Sequence, residues 1–229
     1  MARAKEELVH GSYFKFKRRV KDIVRAFDKL PIDEHMWKPK VGIVGEILVK
    51  YHPVANNDLE KVLMEEGAEV VMPEFCDFFL YSAYDSVSKH KLLAGSYKNQ
   101  FFGRMFIKII EFFRGPMRSA LKKSRHFRPP HTIDETAKLA SRHVSLGNMA
   151  GEGWFLTGEM VKLIAEGIPN VVCLQPFGCL PNHITGKGVI HSLRNEYKGA
   201  NIVAIDCDSG SSEVNQLNRI KLMLAVAKE

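Results

Sequence analysis

VGIVGE, at residues 41–46, is a short apolar run that stops at a glycine followed by a glutamate. Such a run is typical of a strand that is buried on both faces of a parallel sheet. DLEKVLMEEG (residues 58–67) follows as a helix, with Asp58 as its candidate cap and Gly67 as its end. AEVVMPEF (residues 68–75) is a second strand. Strand, helix and strand at this spacing predict a βαβ unit in a parallel sheet with right-handed crossovers.

The alternation of helices and strands returns after residue 143. The predicted helices GEGWFLTGEMVKLIAEGI, TGKGVIHSLRNEY and SSEVNQLNRIKLMLAVAKE begin at residues 151, 185 and 211, and the predicted strands NVVCLQP and ANIVAIDCD begin at residues 170 and 200. Between the two halves lies an insertion of helical periodicity, which Gly115-Pro116 is expected to divide. The sequence therefore predicts an α/β fold: a four-stranded parallel, doubly wound sheet with a helical insertion after the second strand.

We divide the chain into two parts. Residues 1–39 are an N-terminal helix, predicted from Ala2 to Leu30, and a connector. The helix has apolar residues at helical spacing: Phe16, Val20, Ile23, Val24 and Phe27. Residues 40–229 are the α/β domain, with its helical insertion at about residues 76–143.

Composition restricts the class of protein. The 229 residues are 45% hydrophobic and 26% charged, which is the balance of an ordinary globular protein. The net charge of +7 predicts a basic face, which suits nucleic acid, anionic lipid, phosphorylated ligands or an acidic protein, and charge alone does not choose among them. We find no apolar run long enough to span a bilayer and no signal-peptide core, so we expect a cytoplasmic protein.

Four cysteines are too sparse for a disulfide scaffold, and no Cys-x-x-Cys pair occurs. Cys173, inside a strand, is expected to be a buried apolar residue. Cys76 and Cys207 have structural interpretations as well, because the first precedes an aromatic helix and the second lies between two aspartates that disfavour a thiolate. Cys179 differs from the other three. Gly178 precedes it and Pro181 follows in a loop, which favours a metal ligand or a reactive thiol.

In an open parallel sheet, ligands bind beyond the carboxyl ends of the strands. The residues that follow the four predicted strands are therefore the candidate site residues. They are Glu46 after the first strand, Glu74 and Cys76 after the second, Gln175, Cys179, Asn182 and His183 after the third, and Asp206, Cys207 and Asp208 after the last.

Two loops could bind an anion. TGKG (residues 185–188) departs from the P-loop pattern, since Pro181 stands where that pattern has its first glycine. It is a predicted helix start whose N–H groups would face a phosphate. DSGSSE (residues 208–213) is a capping loop with the same potential.

Aromatic and basic residues alternate between residues 97 and 123. Their helical spacing favours a cap that packs its aromatic side chains on the sheet or on a partner, and an interfacial membrane helix is the alternative.

Four stretches together resemble a known family: VGIVGEILVKYHPVANND, EFCDFFLY, LQPFGCLPNHITGKG and DSGSSEVNQLNRIKLML. The chain resembles, from about Phe16 to its end, the C-terminal part of acyl-CoA dehydratase activase-like proteins. That region is related to the D-component of 2-hydroxyacyl-CoA dehydratases and to double-cubane iron–sulfur proteins. The resemblance implies a flavodoxin-like α/β domain that helps to bind a [4Fe-4S] cluster or a double cubane, and that receives low-potential electrons from an ATP-dependent, ASKHA-type activator.

In this resemblance Cys179 matches the cluster cysteine of the Phe-Gly-Cys loop, and Cys76 is a candidate second metal ligand. Glu46, Asn182 and His183 are expected to line the cofactor pocket. The remaining cluster ligands would come from an upstream cluster-binding domain or from another chain. Two positions depart from the family pattern, since Ser82 stands where a cysteine is expected and Cys207 where an aromatic residue is expected.

We therefore predict an iron–sulfur component of a dehydratase- or reductase-type system, incomplete on its own, with no nucleic-acid partner and with dimerisation left open. Whether the chain is an enzyme is also left open. The alternatives are a metal-free α/β enzyme that binds a nucleotide or phosphate at Thr185 and Ser211, and a non-catalytic half-domain whose basic, aromatic helices bind a partner chain.

Overall fold

The computed structural model describes residues 12–208 and 210–228. Its helices and strands, in chain order, are α1 (Tyr13–Asp28), β1 (Lys40–Gly45), α2 (Ile47–Tyr51), α3 (Leu59–Glu65), β2 (Glu69–Val71), α4 (Phe75–Leu92), α5 (Tyr97–Leu121), α6 (Ile133–Ala140), α7 (Gly153–Ala165), β3 (Asn170–Gln175), α8 (Ile190–Glu196), β4 (Asn201–Asp206) and α9 (Glu213–Ala227). A π-helical turn at Asn182–Gly186 and a 3₁₀ turn at Lys187–Val189 precede α8. The start of the predicted N-terminal helix, up to residue 11, lies outside the described residues.

All four predicted strands form one parallel sheet in the order β2-β1-β3-β4. In register, Gly42 on β1 lies opposite Val171 on β3. This is a flavodoxin-like order, and the predicted fold class is confirmed. The chain leaves β1 first toward β2 and later returns to the other side of β1 with β3. The point where the direction of winding reverses therefore lies between β1 and β3, which is where open α/β sheets bind ligands.

Helices cover both faces of the sheet. Leu63 of α3 and Met223 of α9 are buried in the core on one face, and Leu163 of α7 and Leu193 of α8 in the core on the other. Each such side chain contributes roughly 1.5–3 kcal/mol when it is fully removed from water. The sheet lies between two apolar layers, as the unbroken apolar strands predict.

The start of α3 differs in detail from the prediction. Asp58 occupies the capping position in a left-handed conformation (φ 51°), and its side chain makes no capping bond within the described chain. Asn56 takes this role, since its Oδ1 accepts a hydrogen bond from Leu59 N (3.2 Å). The end of the helix is as predicted, with Gly67 at φ +87°, where residues with a Cβ are strained.

The insertion after β2 builds a third apolar core. Helices α4, α5 and α6 pack there against Trp154 and Phe155 at the start of α7, so α7 joins the insertion to the sheet. The predicted break at Gly115-Pro116 is wrong, because α5 runs without interruption through the buried Pro116. An interior proline removes one helical hydrogen bond, and packing of the helix on its neighbours compensates.

Helix α1 packs on the insertion. Tyr13 stacks on Phe112 of α5 with ring centroids 4.8 Å apart, and Ser124 Oγ donates a hydrogen bond to Asp28 (2.6 Å). The N-terminal helix therefore lies along the second half of α5 and runs in the same direction. In the described part of the chain, no helix combines the length and the apolar character needed to cross a bilayer.

Candidate functional site

Three polar residues come together at the edge of the sheet where β1 and β3 end. Glu46 follows β1, Asn182 lies in the turn after β3, and Glu152 precedes α7. We call these three residues the rim cluster. The sequence predicted Glu46 and Asn182 as site residues, and the structure places them in contact at the point where the winding of the sheet reverses.

Glu46 caps the short helix α2. Its carboxylate accepts a hydrogen bond from Val49 N (2.8 Å), and its own N–H donates to the carbonyl of Leu174 on β3 (3.1 Å). A carboxylate at a helix N-terminus is stabilised by the free N–H groups there. Through these two hydrogen bonds Glu46 holds the exit of β1 against β3.

Asn182 is fully buried and joins the other two residues of the rim cluster. In the amide orientation that suits both neighbours, Nδ2 donates to Glu152 Oε2 (3.1 Å) and Oδ1 accepts from Glu46 N (3.3 Å). A buried amide with both ends bonded is difficult to move, because each lost hydrogen bond would leave an unpaired polar atom away from water. Asn182 therefore fixes the segment that follows Cys179.

Glu152 lies in a glycine turn and was not predicted as a site residue. Gly153 has φ +45°, and a Cβ there would lie 2.1 Å from Asn148 O, so only glycine fits. Tyr81 of α4 braces the same turn by donating to Gly151 O (2.8 Å). The flanking glycines of the GEG sequence were the one signal that could have revealed this residue.

The carboxyl group of Glu152 is buried and accepts a hydrogen bond from Ile47 N (3.0 Å). Burial raises its pKa above the usual glutamate range, and the nearby Glu46 carboxylate adds to the rise, while the bond from Ile47 opposes it. The rim cluster can therefore retain a proton at a higher pH than an exposed glutamate does.

Cys179 lies in a turn that the rim cluster anchors. Gly178 has φ +72°, and Cys179 N donates to Pro176 O (3.2 Å), as in a type II turn with glycine at its third position. The carbonyl of Cys179 accepts from His183 N (3.0 Å), which begins the helical turn that carries Asn182. Pro181 Cγ lies 3.2 Å from where a Cβ on Gly151 would be, so it packs on the Glu152 turn.

The surroundings of Cys179 are apolar and exposed. Its thiol is free and partly accessible. On the same loop Phe177, Leu180 and Ile184 are 76%, 66% and 51% exposed. Three large apolar side chains around one accessible thiol form a surface that water solvates poorly. Such a loop is suited to contact with another surface.

Cys76 lies elsewhere on the rim, in the first turn of α4. It is partly buried, and burial raises the pKa of its thiol, an effect that the nearby Arg114 opposes. Within residues 12–208 and 210–228, no group of three His, Cys, Asp or Glu side chains is arranged to hold a metal ion. The described residues therefore supply single candidate ligands and no complete metal centre.

The other two cysteines are buried, as their sequence context predicts. Cys173 is fully enclosed between the sheet and α7, where Gly186 approaches its sulfur. Cys207 follows β4, and burial together with Asp206 and Asp208 raises the pKa of its thiol to about 11. Both thiols are thus protonated at neutral pH.

A buried ion pair behind the rim was not predicted. Lys50 Nζ contacts both carboxylate oxygens of Glu159 on α7, at 2.9 and 3.1 Å, and both side chains are almost inaccessible. Burial raises the pKa of Glu159, and Lys50 opposes that rise. Lys50 follows β1 and Glu159 lies mid-helix, 109 residues away, so a single sequence contains no sign that they meet.

A second set of ion pairs ties the insertion to the sheet. Arg114 of α5 contacts Glu74, Asp77 and Glu111 at 2.8–2.9 Å, and Asp77 also lies 3.5 Å from Lys162 of α7. Because most of these groups are buried, they restrict where α4 and α5 can lie relative to the sheet.

In the two predicted anion loops, several of the described N–H groups already have acceptors within the chain. Thr185 is buried inside a helical turn and its hydroxyl donates to Pro181 O (2.8 Å), while Lys187 N donates to the carbonyls of Asn182 and His183. We predicted a helix start at Thr185 with free N–H groups. For the N–H of Lys187 this prediction is wrong, because that group already has two acceptors.

In the second loop, Ser212 Oγ accepts from Asn215 N (3.4 Å) and Asp208 Oδ1 accepts from Gly210 N (2.7 Å). Ser209, between them, lies outside the described residues. The described part of this loop acts as a helix cap.

No family model, no curated protein and no solved structure gives a significant match.

Proposed function

We propose that this chain is the α/β component of an iron–sulfur protein, in which Cys179 binds one iron of a [4Fe-4S] cluster completed by another domain or chain. One observation supports the proposal above the others. Cys179 combines a free, accessible thiol with a loop that is anchored on one side and apolar and exposed on the other. A ligand shared across an interface needs both properties, because the thiolate must be accurately placed and the surface around it must become dry.

The donor atoms of the chain fit a shared cluster and not a complete one. Iron–sulfur clusters take several thiolates, and the described residues place two partly accessible thiols, Cys179 and Cys76, at separate points of the rim. Cys179 is the better ligand of the two, since burial disfavours the thiolate of Cys76. When bound, such a cluster supplies one-electron transfer at low potential.

The residues around the loop have supporting roles in this proposal. Glu46 and Asn182 hold the Cys179 turn against β1, and His183 extends that turn through a backbone hydrogen bond to the carbonyl of Cys179. Glu152 gives the rim a carboxyl group that retains its proton more readily than an exposed one. A protein that receives an electron near such a group can balance the added charge with a proton.

The family resemblance of the sequence extends the proposal to partners. It favours a 2-hydroxyacyl-CoA dehydratase or double-cubane reductase system, with electrons from an ATP-dependent, ASKHA-type activator and further ligands from an upstream cluster-binding domain. These partners rest on that resemblance. A cytoplasmic location, where free thiols persist, is also part of the proposal.

Iron analysis tests the proposal. Tagged protein should be purified anaerobically from the cells that make it, so that any polypeptide completing the cluster is retained. Iron and acid-labile sulfide should then be present in about equal amounts. Cys179→Ser should lose most of both.

Cys207→Ser is the matched control, because it removes a buried thiol at the same edge of the sheet and should leave iron and sulfide unchanged. Protein without iron would contradict the proposal, and so would a Cys179→Ser variant that keeps a full cluster. A colourless protein that gains thermal stability with a nucleotide would instead support the phosphate-binding alternative.

A further inference from the structure

We propose that two copies of this chain associate through α4 and α5, so that their two helical hairpins form a four-helix bundle about a two-fold axis. Helices α4 and α5 are joined by the short segment 93–96 and pack side by side along their length. Close contact at Gly103 holds them together, since a Cβ there would lie 2.6 Å from Ala83 O. The hairpin buries its inner side against α6 and α7, and none of the residues 12–208 and 210–228 fully covers its outer side.

The outer side of α5 is a stripe of large apolar side chains. Seven residues between 42% and 58% exposed form it, and we call them the aromatic stripe: Phe101, Phe102, Met105, Phe106, Ile109, Phe112 and Phe113. The set consists of adjacent residues and single residues that recur every three or four positions, which places it on one broad face of the helix. Tyr13 of α1 contacts the last two rings, and within the described residues all seven side chains remain about half-exposed.

Beside the stripe runs a groove between α4 and α5, with a volume of about 660 Å³. One wall consists of Phe102, Met105, Phe106 and Ile109 from the stripe. The α4 wall carries small side chains, Ser82, Ala83 and Ser86, with Asp85 and Lys89 among them. The hairpin therefore presents bulky side chains and a recess next to each other on the same surface.

This arrangement is self-complementary, which is what a two-fold interface requires. In such an interface the aromatic side chains of one copy enter the recess of the other, and the same contact is made a second time in reverse. A helix that packs bulky residues into holes of a facing helix follows the geometry of four-helix bundles.

The available area matches a dimer. Seven side chains of roughly 200 Å² each, about half-exposed, offer on the order of 700 Å² per copy. A standard interface buries about 800 Å² per partner. The stripe with the groove walls therefore reaches the size at which a specific dimer is stable.

Charges on the surface agree with self-association. Lys98 and Lys108 are exposed on α5, and Lys98 belongs to the turn that begins the aromatic stripe. The groove also contains the carboxyl group of Asp85, which is partly buried and lies near Lys89. In a two-fold dimer the exposed lysines of one copy can approach this acidic residue of the other, whereas an anionic surface would meet a like charge there.

Sedimentation equilibrium and light scattering of the full chain, prepared without iron, test the proposal. The mass should be twice 25.9 kDa. Phe106→Glu places two charges in the dimer interface and should raise the dimer dissociation constant by at least about 30-fold. Ser82→Phe fills the recess from an exposed position and should weaken the dimer without adding charge.

Leu222→Glu is the control, because Leu222 is 70% exposed on α9, which lies on the sheet and outside the hairpin, and this variant should stay dimeric. Circular dichroism should show the same helix content in all variants. Wild-type protein that remains monomeric at high micromolar concentration would overturn the proposal. So would a monomer that binds anionic vesicles through Phe106, because the stripe would then belong to a lipid surface. Neither outcome depends on iron, so the test is separate from that of the cluster.

Discussion

At the scale of single residues, Lys50 and Glu159 form the most deeply buried pair of charged side chains among the described residues. Each side chain is at most 4% exposed, and the ammonium group contacts both oxygens of the carboxylate. Burying two charges costs several kcal/mol per ion, and their attraction offsets that cost only while both are present. The pair therefore stabilises the exit of β1 only while both charges are present.

Replacing Lys50 with methionine leaves the Glu159 carboxylate buried and unpaired. We expect Lys50→Met to lower the free energy of unfolding by about 3–5 kcal/mol, measured by urea denaturation. Lys50→Met combined with Glu159→Leu should recover much of this loss, because no buried charge remains.

Lys61→Met is the control, since Lys61 and its partner Glu65 are 71% and 67% exposed. It should change stability by less than about 0.5 kcal/mol. If Lys50→Met were equally mild, the buried pair would contribute nothing to the position of β1.

Glu152 makes the stability of the folded chain depend on pH. Burial raises its pKa, so the folded chain binds this proton more tightly than the unfolded chain does. As pH rises above the unfolded value of about 4.3, the unfolded chain holds fewer protons than the folded chain, and stability falls until the folded pKa is passed. Glu152→Gln cannot titrate. The melting temperature of this variant minus that of the wild type should therefore increase between about pH 4 and about pH 8.

A difference between the two melting temperatures that stays constant or decreases over this range would show that Glu152 is not held in its protonated form. Differential scanning calorimetry at several pH values makes the comparison.

Single residues of the rim were only partly predictable. Glu46 and Asn182 follow strands directly, so the rule that ligands bind at strand ends located them. Glu152 reaches the same point from a different turn, and its partners Ile47 and Asn182 are distant in sequence. Contacts of that kind depend on how whole elements pack, and local spacing does not encode them.

At the scale of secondary-structure elements, α5 offers a matched pair of glycines. Apart from its chain neighbours and its own helix, a Cβ on Gly115 would meet no atom within 4 Å, whereas a Cβ on Gly103 would lie 2.0 Å from Ser86 Oγ and 2.6 Å from Ala83 O. Gly115→Ala should change the free energy of unfolding by less than about 1 kcal/mol, because the helix propensity that alanine adds is opposed by contact of its Cβ with the ring of Pro116. Gly103→Ala should lower it, since α4 and α5 would be forced apart.

Both variants can be compared by chemical denaturation. A loss of stability in Gly103→Ala no larger than that in Gly115→Ala would show that the packing of α5 on α4 does not depend on Gly103.

Elements with strong local signals were predicted well, and those that depend on packing were not. The four apolar strands and the closing helix α9 follow from pattern alone. Pro116 is a strong helix breaker by local propensity, yet α5 continues through it because its flanks are packed. Asp58 was a reasonable cap by residue type, and the left-handed backbone gave that role to Asn56. Tertiary contacts decided both cases.

At the scale of the whole molecule, the candidate ligand-binding surface and the candidate dimer surface lie in different parts of the fold. The reversal point of the sheet carries the rim cluster and the Cys179 loop, and the insertion carries the aromatic stripe. The parallel sheet and its winding could be predicted, because βαβ units restrict topology strongly. The exposure of the stripe could not, since its periodicity is the same whether the helix faces a sheet or a partner.

The state of the Cys179 thiol tests the central claim most directly. Anaerobically purified protein should be treated with iodoacetamide before and after an iron chelator, and labelling should be measured by mass spectrometry. We predict that Cys179 is protected before chelation and labelled after it, while the buried Cys173 and Cys207 stay unlabelled throughout in the folded protein. Labelling of Cys179 to the same extent before and after chelation would contradict its role as an iron ligand.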